Sequence, residues 1–378
     1  MNLQPYLKLM AERGGSDIFF TTGAPVSMNI EGKMHQIGKT PLEPGMAKEI
    51  AYSIMDENQK MGFEATMEMN LGMSLVGIGR FRINIYTQRG EVSMVIRYIK
   101  SDVPSIDELN LPEKLKELIH KRKGLLLVVG ATGSGKSTTL ASMINHRSLN
   151  MPGHILTIED PIEYMFDHQK SIVGQREVGL DTLSYENALR EAMREAPDVI
   201  MIGEARDEET MKAALSYADT GHLCLTTLHS VNANQTLDRV LSFFATNAHN
   251  QILMDMSLNL KAIVSQRLIQ ARDGKRVAAV EILINTPYIS ELIRKGEFGE
   301  VKEMMEKGAS EGMQTFDQSL YELFKKGKID LKSALNNADS RSNLEWRINF
   351  GGDKEIEKGG DSDDMDFPSS MDDLPQVD

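Results

Sequence analysis

The sequence predicts an α/β protein: a small N-terminal α+β domain followed by a parallel sheet with helices on both faces. Three observations support this. Residues 1–100 contain short segments that alternate apolar and polar residues, as half-buried strands do. From Leu125 onward the strand candidates are predominantly apolar runs without alternation, which is typical of strands covered on both faces. A chain of 378 residues fits two such domains better than one core.

The N-terminal domain, 1–100, is predicted to open with a helix that ends at Gly14 and Gly15. The predicted helices are 3–11 and 43–55. Six short strands are predicted around them, at 17–22, 26–30, 33–36, 73–78, 80–87 and 92–99. Residues 101–112 contain two prolines and many polar side chains, so we interpret them as a linker.

The second domain, 113–285, contains four strand candidates separated by stretches long enough for helices. These candidates are 125–129, 155–158, 199–202 and 223–227. Parallel strands need connections of this length, which favours a parallel sheet. Beyond residue 249 the chain is predicted to be mostly helical, with one more strand candidate at 277–284 and a helical C-terminal region at 286–348.

Most of the net charge of −13 comes from the C-terminus. Residues 351–378 carry ten acidic residues against two lysines, which leaves only −5 for the rest of the chain. This stretch has few apolar side chains to offset the entropy of ordering. We therefore expect an acidic, disordered tail at 349–378, with charge-dependent docking as the alternative reading.

The composition also limits the location and the partners of the protein. No apolar run approaches the roughly 20 residues that cross a bilayer, and the N-terminus lacks the pattern of a secretory signal. The one cysteine, Cys224, lies in an apolar run, so a buried thiol is predicted and a disulfide or cysteine zinc site is excluded. These features predict a cytoplasmic protein without a transmembrane segment.

A phosphate-binding motif directly follows the strand at 125–129. The segment GATGSGKST fits the pattern G-x-x-x-x-G-K-[ST], in which glycines let successive amides turn toward a phosphate at the start of a helix. We expect Lys136 to reach the β- and γ-phosphates and Ser137 to ligate Mg²⁺. The whole motif is predicted to bind the nucleotide: Gly130, Ala131, Thr132, Gly133, Ser134, Gly135, Lys136, Ser137 and Thr138.

Hydrolysis also needs carboxylates that hold the metal and orient water. The strand at 199–202 is followed by Gly203 and Glu204, so glycine stands where an aspartate is usual and Glu204 remains as the metal-side acid. A water-orienting acid must then come from another strand. Three candidates follow the strand at 155–158, namely Glu159, Asp160 and Glu163; each alone is also explained as a solvated strand end.

Two histidines bracket the strand candidate at 223–227. His229 follows the strand, and ligands in such folds lie at the carboxyl ends of the strands. We therefore expect His229 to face the γ-phosphate or the attacking water. His222 precedes the strand, and local geometry gives it no function.

Together these motifs resemble those of a known family. The P-loop, TIEDPIEY (157–164), APDVIMIGEARD (196–207) and TGHLCLTTLHS (220–230) resemble the Walker A, Asp box, Walker B and His box of the secretion-superfamily hexameric ATPases. Over 1–348 the chain resembles the type IV pilus retraction ATPases of the PilT/PilU kind. Its C-terminal segments and the tail beyond them point to the PilU-like branch.

The resemblance implies a PAS-like N-terminal domain and a RecA-like P-loop ATPase core. It also implies that Glu163 is the water-activating base, that Glu204 lies near Mg²⁺, and that both His222 and His229 belong to the catalytic site. In the family, arginines of the N-terminal domain reach the nucleotide of a neighbouring subunit. Arg82 and Arg97 are our candidates for that function, with surface arginines on a sheet edge as the plainer reading.

The function implied is that of a Mg²⁺-dependent ATP hydrolase, a homo-hexamer that drives pilus retraction at an inner-membrane platform protein beside a PilT-like retraction ATPase. One alternative is a pilus-extension or type II secretion ATPase, although those chains commonly carry a four-cysteine metal loop. A RecA-like ATPase acting on nucleic acid is a second. An acidic chain with 6% aromatic residues disfavours it, and no nucleic-acid partner is expected. The third is an interaction subunit that binds ATP without acting as a motor.

Overall fold

Two sheets organise the computed structural model, which describes residues 3–350. The N-terminal domain has helices α1 (Gln4–Glu12), α2 (Met46–Tyr52) and α3 (Glu57–Thr66), and strands β1 (Gly15–Phe20), β2 (Ser27–Ile30), β3 (Lys33–Gln36), β4 (Glu68–Leu75), β5 (Gly79–Gln88) and β6 (Glu91–Ile99). Its strands form an antiparallel sheet in the order β3-β2-β1-β6-β5-β4. Apolar side chains of the helices and of one sheet face form its separate core.

The middle of this domain differs from the prediction. The helix predicted at 43–55 is confined to α2, and a further helix, α3, follows it. Asp56 starts α3 because its side chain accepts a hydrogen bond from the Gln59 amide, while the Gln59 side chain accepts one from the Asp56 amide. This reciprocal cap is a start signal that apolar periodicity does not reveal. The predicted strand at 73–78 begins earlier and ends at Leu75.

The second sheet lies between two layers of helices. The core elements are α4 (Lys114–Ile119), β7 (Gly124–Val129), α5 (Lys136–Asn150), β8 (Gly153–Glu159), β9 (Ser171–Glu177), α6 (Tyr185–Ala192), β10 (Val199–Ile202), α7 (Glu208–Asp219), β11 (Leu223–Leu228), α8 (Ala233–Ser242), α9 (His249–Asn259), β12 (Leu260–Gln270) and β13 (Arg276–Ile284). The strand order is β13-β12-β7-β11-β10-β8-β9, parallel except for β13 at one edge. The four strands predicted from apolar runs are confirmed, and they are largely buried on both faces.

Strands β9 and β12 were not predicted. The stretch that forms β12 was expected to be helical, yet it pairs with both β7 and β13. Its buried polar residues hide the strand pattern: Ser265 and Gln266 are 0% and 3% exposed and are hydrogen-bonded inside the protein. A polar residue that is satisfied by tertiary contacts cannot be recognised from its neighbours in sequence.

Residues 101–112 pack more closely than a linker was expected to. Ile106 and Leu111 are 1% and 6% exposed and belong to the core beneath the second sheet. Cys224 is buried in β11, as predicted, and burial raises the pKa of its thiol.

The C-terminal region is helical, as predicted. Its helices are α10 (Pro287–Lys295), α11 (Val301–Lys307), α12 (Phe316–Lys325), α13 (Leu331–Asn337) and α14 (Arg341–Phe350). The last helix extends two residues beyond the predicted boundary at 348, and the rest of the predicted tail lies outside the described residues. Between residues 3 and 350, no helix combines the length and apolar character that a membrane span requires.

Candidate active site

The turn between β7 and α5 is shaped to receive an anion. Gly133 and Gly135 have φ angles of 76° and 88°, a region that side-chain-bearing residues rarely adopt. Gly135 is the N-cap of α5, and no side chain caps this helix, whereas α6, α7 and α8 each begin with a side-chain cap. The first N–H groups of α5 are therefore available to bind a phosphate.

Lys136 is held at the mouth of this turn. Its Nζ donates to the carbonyl oxygens of Gly130 and Ala131 at 2.9 and 3.1 Å. The residue is 9% exposed, and burial lowers the pKa of its ammonium group, while the carboxylates of Glu204 and Glu163 act in the opposite direction. The ammonium group is thus bound to two neutral carbonyl oxygens. The charged oxygens of a phosphate would be stronger acceptors and would take their place.

One cleft brings together side chains from four segments of the chain. It is lined by Lys136 and Ser137 of the P-loop, Glu163 after β8, Glu204 after β10 and His229 after β11. All of these follow the carboxyl ends of neighbouring parallel strands, the edge where ligands bind in such sheets. The cleft therefore combines a phosphate cradle with carboxylates.

Other parts of the P-loop face different spaces. Thr132 and Gly133 line the cleft, whereas Gly135 and Thr138 border a second cavity. The Thr138 hydroxyl lies 3.1 Å from that of Tyr164, the last residue of the Asp box.

Glu204 is held by two donors. His229 Nε2 lies 2.8 Å from one carboxylate oxygen, and Arg206 Nε donates to the other at 2.7 Å. Arg206 also lines the cleft, although the sequence argument did not select it. The only signal for it was its position in the same motif, APDVIMIGEARD. His229 and Arg206 together fix the orientation of the Glu204 carboxylate.

Gly203, which stands where an aspartate is usual, has little free space beside its Cα. A Cβ atom there would lie 3.1 Å from the Tyr185 hydroxyl oxygen and 3.3 Å from Cα of Glu159. Tyr185 and Glu159, which both line the cleft, therefore occupy that space. Burial, and then the Asp160 carboxylate, raise the pKa of Tyr185, so its phenol stays protonated.

Glu159 is a buried carboxyl group beside the site. It is 8% exposed, and it accepts hydrogen bonds from Thr157 Oγ1 at 2.7 Å and Gln175 Nε2 at 3.4 Å. Burial outweighs these bonds and raises its pKa to about 7. Glu163, by contrast, is exposed at the cleft surface. The two acids of this segment thus have different environments.

We expect Glu159→Gln to stabilise the protein in a pH-dependent way. The pKa of Glu159 in the folded protein lies above the usual value of 4.5. The contribution of this carboxyl group to stability is therefore fully present below pH 4.5 and is lost as the pH rises to about 7. Near pH 8 the variant should gain on the order of 3 kcal/mol in free energy of unfolding, with almost no gain near pH 4. Urea midpoints of both proteins across this range, with Glu163→Gln as the exposed control, measure the effect. A gain that does not depend on pH would contradict it.

Three of the residues predicted to be catalytic lie outside this cleft. His222 is at the amino end of β11, where its Nδ1 lies 3.2 Å from both Thr220 Oγ1 and the Tyr217 carbonyl oxygen. Arg97 Nε donates to Asp17 at 2.8 Å within the N-terminal sheet. In this chain neither contributes to the cleft.

Arg82 makes a contact between the two domains. Its Nε lies 3.6 Å from the Glu177 carboxylate at the end of β9. Glu177 is 1% exposed, and its other oxygen accepts a 3.4 Å hydrogen bond from the amide of Ile162, the residue before Glu163. The third predicted residue outside the cleft is thus connected to the Asp box of its own chain.

The donors present in the cleft fit Mg²⁺ shared with a phosphate. Ser137 and Glu204 supply a hydroxyl and a carboxylate, the hard oxygen ligands that Mg²⁺ prefers. Within residues 3–350 no three His, Cys, Asp or Glu side chains come together as a metal site. Because Mg²⁺ is commonly held by one or two protein groups plus substrate phosphates, the Ser137 and Glu204 pair matches that mode of binding.

A P-loop at the carboxyl edge of a parallel sheet, with Glu163 and Glu204 in the same cleft, defines a P-loop nucleotide-binding protein.

Comparisons with known proteins support this class. The sequence pattern of the type II/IV secretion system protein family matches residues 2–334. The chain is 50% identical to the type IV pilus ATPase PilU of Pseudomonas aeruginosa over 94% of each chain. It is 40% identical to the retraction ATPase PilT of that organism, over 91% of this chain and all of PilT.

A solved structure shows the same relationship. The crystal structure of the pilus retraction motor PilT with bound ADP matches with a TM-score of 0.84 and 42% identity, over 91% of this chain and 99% of that one. The chain belongs to the type II/IV secretion system protein family and, within it, to the pilus ATPases of the PilT/PilU type.

Proposed function

We propose that the protein hydrolyses ATP with Mg²⁺ and uses the energy to drive retraction of a type IV pilus. The observation that carries this proposal is the cleft in which an uncapped helix start and Lys136 face the carboxylates Glu163 and Glu204. A P-loop alone would support nucleotide binding but not ATP hydrolysis. The carboxylates add the means to hold the metal and to activate water.

Each residue has a proposed function. Ser137 and Glu204 would hold Mg²⁺, which neutralises charge on the phosphates when bound. Glu163 would take a proton from the attacking water, and its exposure to the cleft leaves it free to reach that water. His229 would hold the Glu204 carboxylate and sense the γ-phosphate beside it. The cavity beside Thr138, bordered by Asn110, would take the nucleoside.

We also propose that the active form is a homo-hexamer with sites completed by neighbouring subunits. The resemblance to hexameric motors supports this, and so does the position of Arg82 and Arg97 outside the cleft of their own chain. His222 is likewise assigned to the catalytic site through the resemblance alone. The antiparallel N-terminal sheet and the parallel core sheet support assignment to PAS-like and RecA-like folds, respectively.

The higher identity to PilU than to PilT favours an accessory retraction ATPase. In this proposal the protein works with a PilT-like ATPase and contacts a platform protein at the cytoplasmic side of the inner membrane. A single cysteine in the whole sequence leaves no four-cysteine metal loop of the kind common in extension and type II secretion ATPases.

Gene deletion in the native host tests the accessory function. Deletion of this gene should slow or weaken pilus retraction, and deletion together with the PilT-like gene should abolish it. Retraction is measured by imaging labelled pili, and the wild-type gene and a Lys136→Ala variant serve as complementation controls. If the single deletion stops retraction entirely, the accessory function is wrong.

A further inference from the structure

Gln266 is a buried polar residue directly behind the P-loop. It lies in β12, which pairs with β7 so that Ser265 is opposite Val129, and Gln266 therefore lies beside Gly130, where the loop begins. Gln266 is 3% exposed; it does not line the cleft that holds Glu163 and Glu204, but it borders the second cavity beside Thr138. A buried side-chain amide is costly unless both of its ends are hydrogen-bonded.

One end of this amide binds the phosphate loop and the other binds the first turn of α5. Nε2 donates to the Ser134 carbonyl oxygen at 2.8 Å, and Oε1 accepts from the Thr139 hydroxyl at 2.6 Å. The fit is tight: a Cβ at Gly135 would lie 2.8 Å from Nε2, and one at Gly130 would lie 2.5 Å from the Gln266 carbonyl oxygen. Gly130 and Gly135 are therefore needed partly because Gln266 packs against them.

The bond to Ser134 has a consequence for the next amide. In a planar trans peptide the C=O and N–H groups point in opposite directions. Because Gln266 holds the Ser134 carbonyl toward β12, the N–H of Gly135 is turned away from β12. The bond to Thr139 fixes the first turn of α5 to the same side chain. One amide thus sets the orientation of the loop relative to the helix that follows it.

We propose that Gln266 is a positioning residue that holds the P-loop in its phosphate-binding conformation before the nucleotide arrives. This inference rests on the proposed nucleotide site and adds a residue to it. Gln266 acts through Ser134 and Thr139 and touches no reacting atom. Its loss should therefore weaken nucleotide binding more than it slows the chemical step.

Gln266→Met tests this, because it nearly conserves volume and removes both hydrogen bonds. We expect its dissociation constant for ADP with Mg²⁺, measured by calorimetry, to rise about 10-fold or more, with kcat at saturating ATP within about 3-fold of wild type. Thr139→Val, which lacks the hydroxyl, should bind ADP several-fold more weakly than wild type. Thr139→Ser, which keeps the hydroxyl, should bind ADP about as tightly as wild type. The double variant Gln266→Met/Thr139→Val should bind no more weakly than Gln266→Met, because both changes remove one shared contact.

An unchanged ADP affinity in Gln266→Met would overturn the inference, as would a loss confined to kcat. If Gln266→Met does not fold, the Thr139 pair decides: equal ADP affinity of Thr139→Val and Thr139→Ser overturns it. Wild-type protein that fails to bind ADP would instead contradict the proposed function, so the two failures are distinguishable.

Discussion

Glu163→Gln is expected to lower ATP turnover by about 10³-fold, because an amide cannot accept the proton of the attacking water. Nucleotide binding should persist in this variant. The phosphate-binding groups, Lys136 and the amides of α5, are not changed, and the glutamine has nearly the shape of the glutamate. Steady-state phosphate release and ATP affinity, measured on the same preparation, separate the two effects.

Asp160→Asn is the matched control for this variant. Asp160 is an exposed acid of the same segment and also lines the cleft, yet the proposed function assigns water activation to Glu163 instead. Its loss should change turnover only a few-fold. Normal turnover by Glu163→Gln would show that Glu163 is misassigned, and the buried Glu159 would then be the next acid to test.

Arg82→Ala is expected to lower kcat by about 10³-fold, the scale of a guanidinium that stabilises charge on a transferred phosphoryl group. Arg82→Lys should not restore activity, because an ammonium group cannot reproduce the planar fork of the guanidinium. Turnover at saturating ATP is the measurement. Arg80→Ala is the matched control, since Arg80 lies on the same strand and pairs with Asp181 at 3.7 Å.

The contact between Arg82 and Glu177 offers a competing explanation that the same assay resolves. Arg82 could affect the site through Glu177 and Ile162 of its own chain rather than through a neighbour. If so, Glu177→Gln should cause the same loss as Arg82→Ala. A Glu177→Gln variant that retains most of its activity would leave the contact with a neighbouring nucleotide as the cause.

The sequence was most informative where one signal acts locally. The strands 125–129, 199–202 and 223–227 were predicted because both of their faces are buried, so their side chains are apolar apart from Thr226 and Thr227. The P-loop was predicted because a phosphate cradle needs glycines at fixed spacing. The gathering of Glu163, Glu204 and His229 in one cleft followed from a general rule, that ligands bind at the carboxyl ends of parallel strands.

Residues whose contacts are distant in sequence were missed. Gln266 binds the P-loop from β12, a strand that begins more than a hundred residues later in the chain. Because Gln266 is polar, it interrupts the apolar pattern by which that strand would be predicted. Tyr185 comes from the start of α6 and fills the space beside Gly203. Arg206 is bound to Glu204 within one motif, but its function depends on the fold of that turn. Tertiary contacts of this kind have no signature in a single sequence.

Mixed rings test the central claim, that ATP is held in one subunit and cleaved with an arginine from the next. Arg82→Ala and Glu163→Gln subunits are each expected to be inactive alone, since every site lacks one group. After mixing in equal amounts with subunit exchange, about one quarter of the sites of a random ring combine an intact Glu163 with a neighbour's intact Arg82. We therefore expect the mixture to regain about a quarter of wild-type ATPase activity. A mixture no more active than its two components would contradict the account.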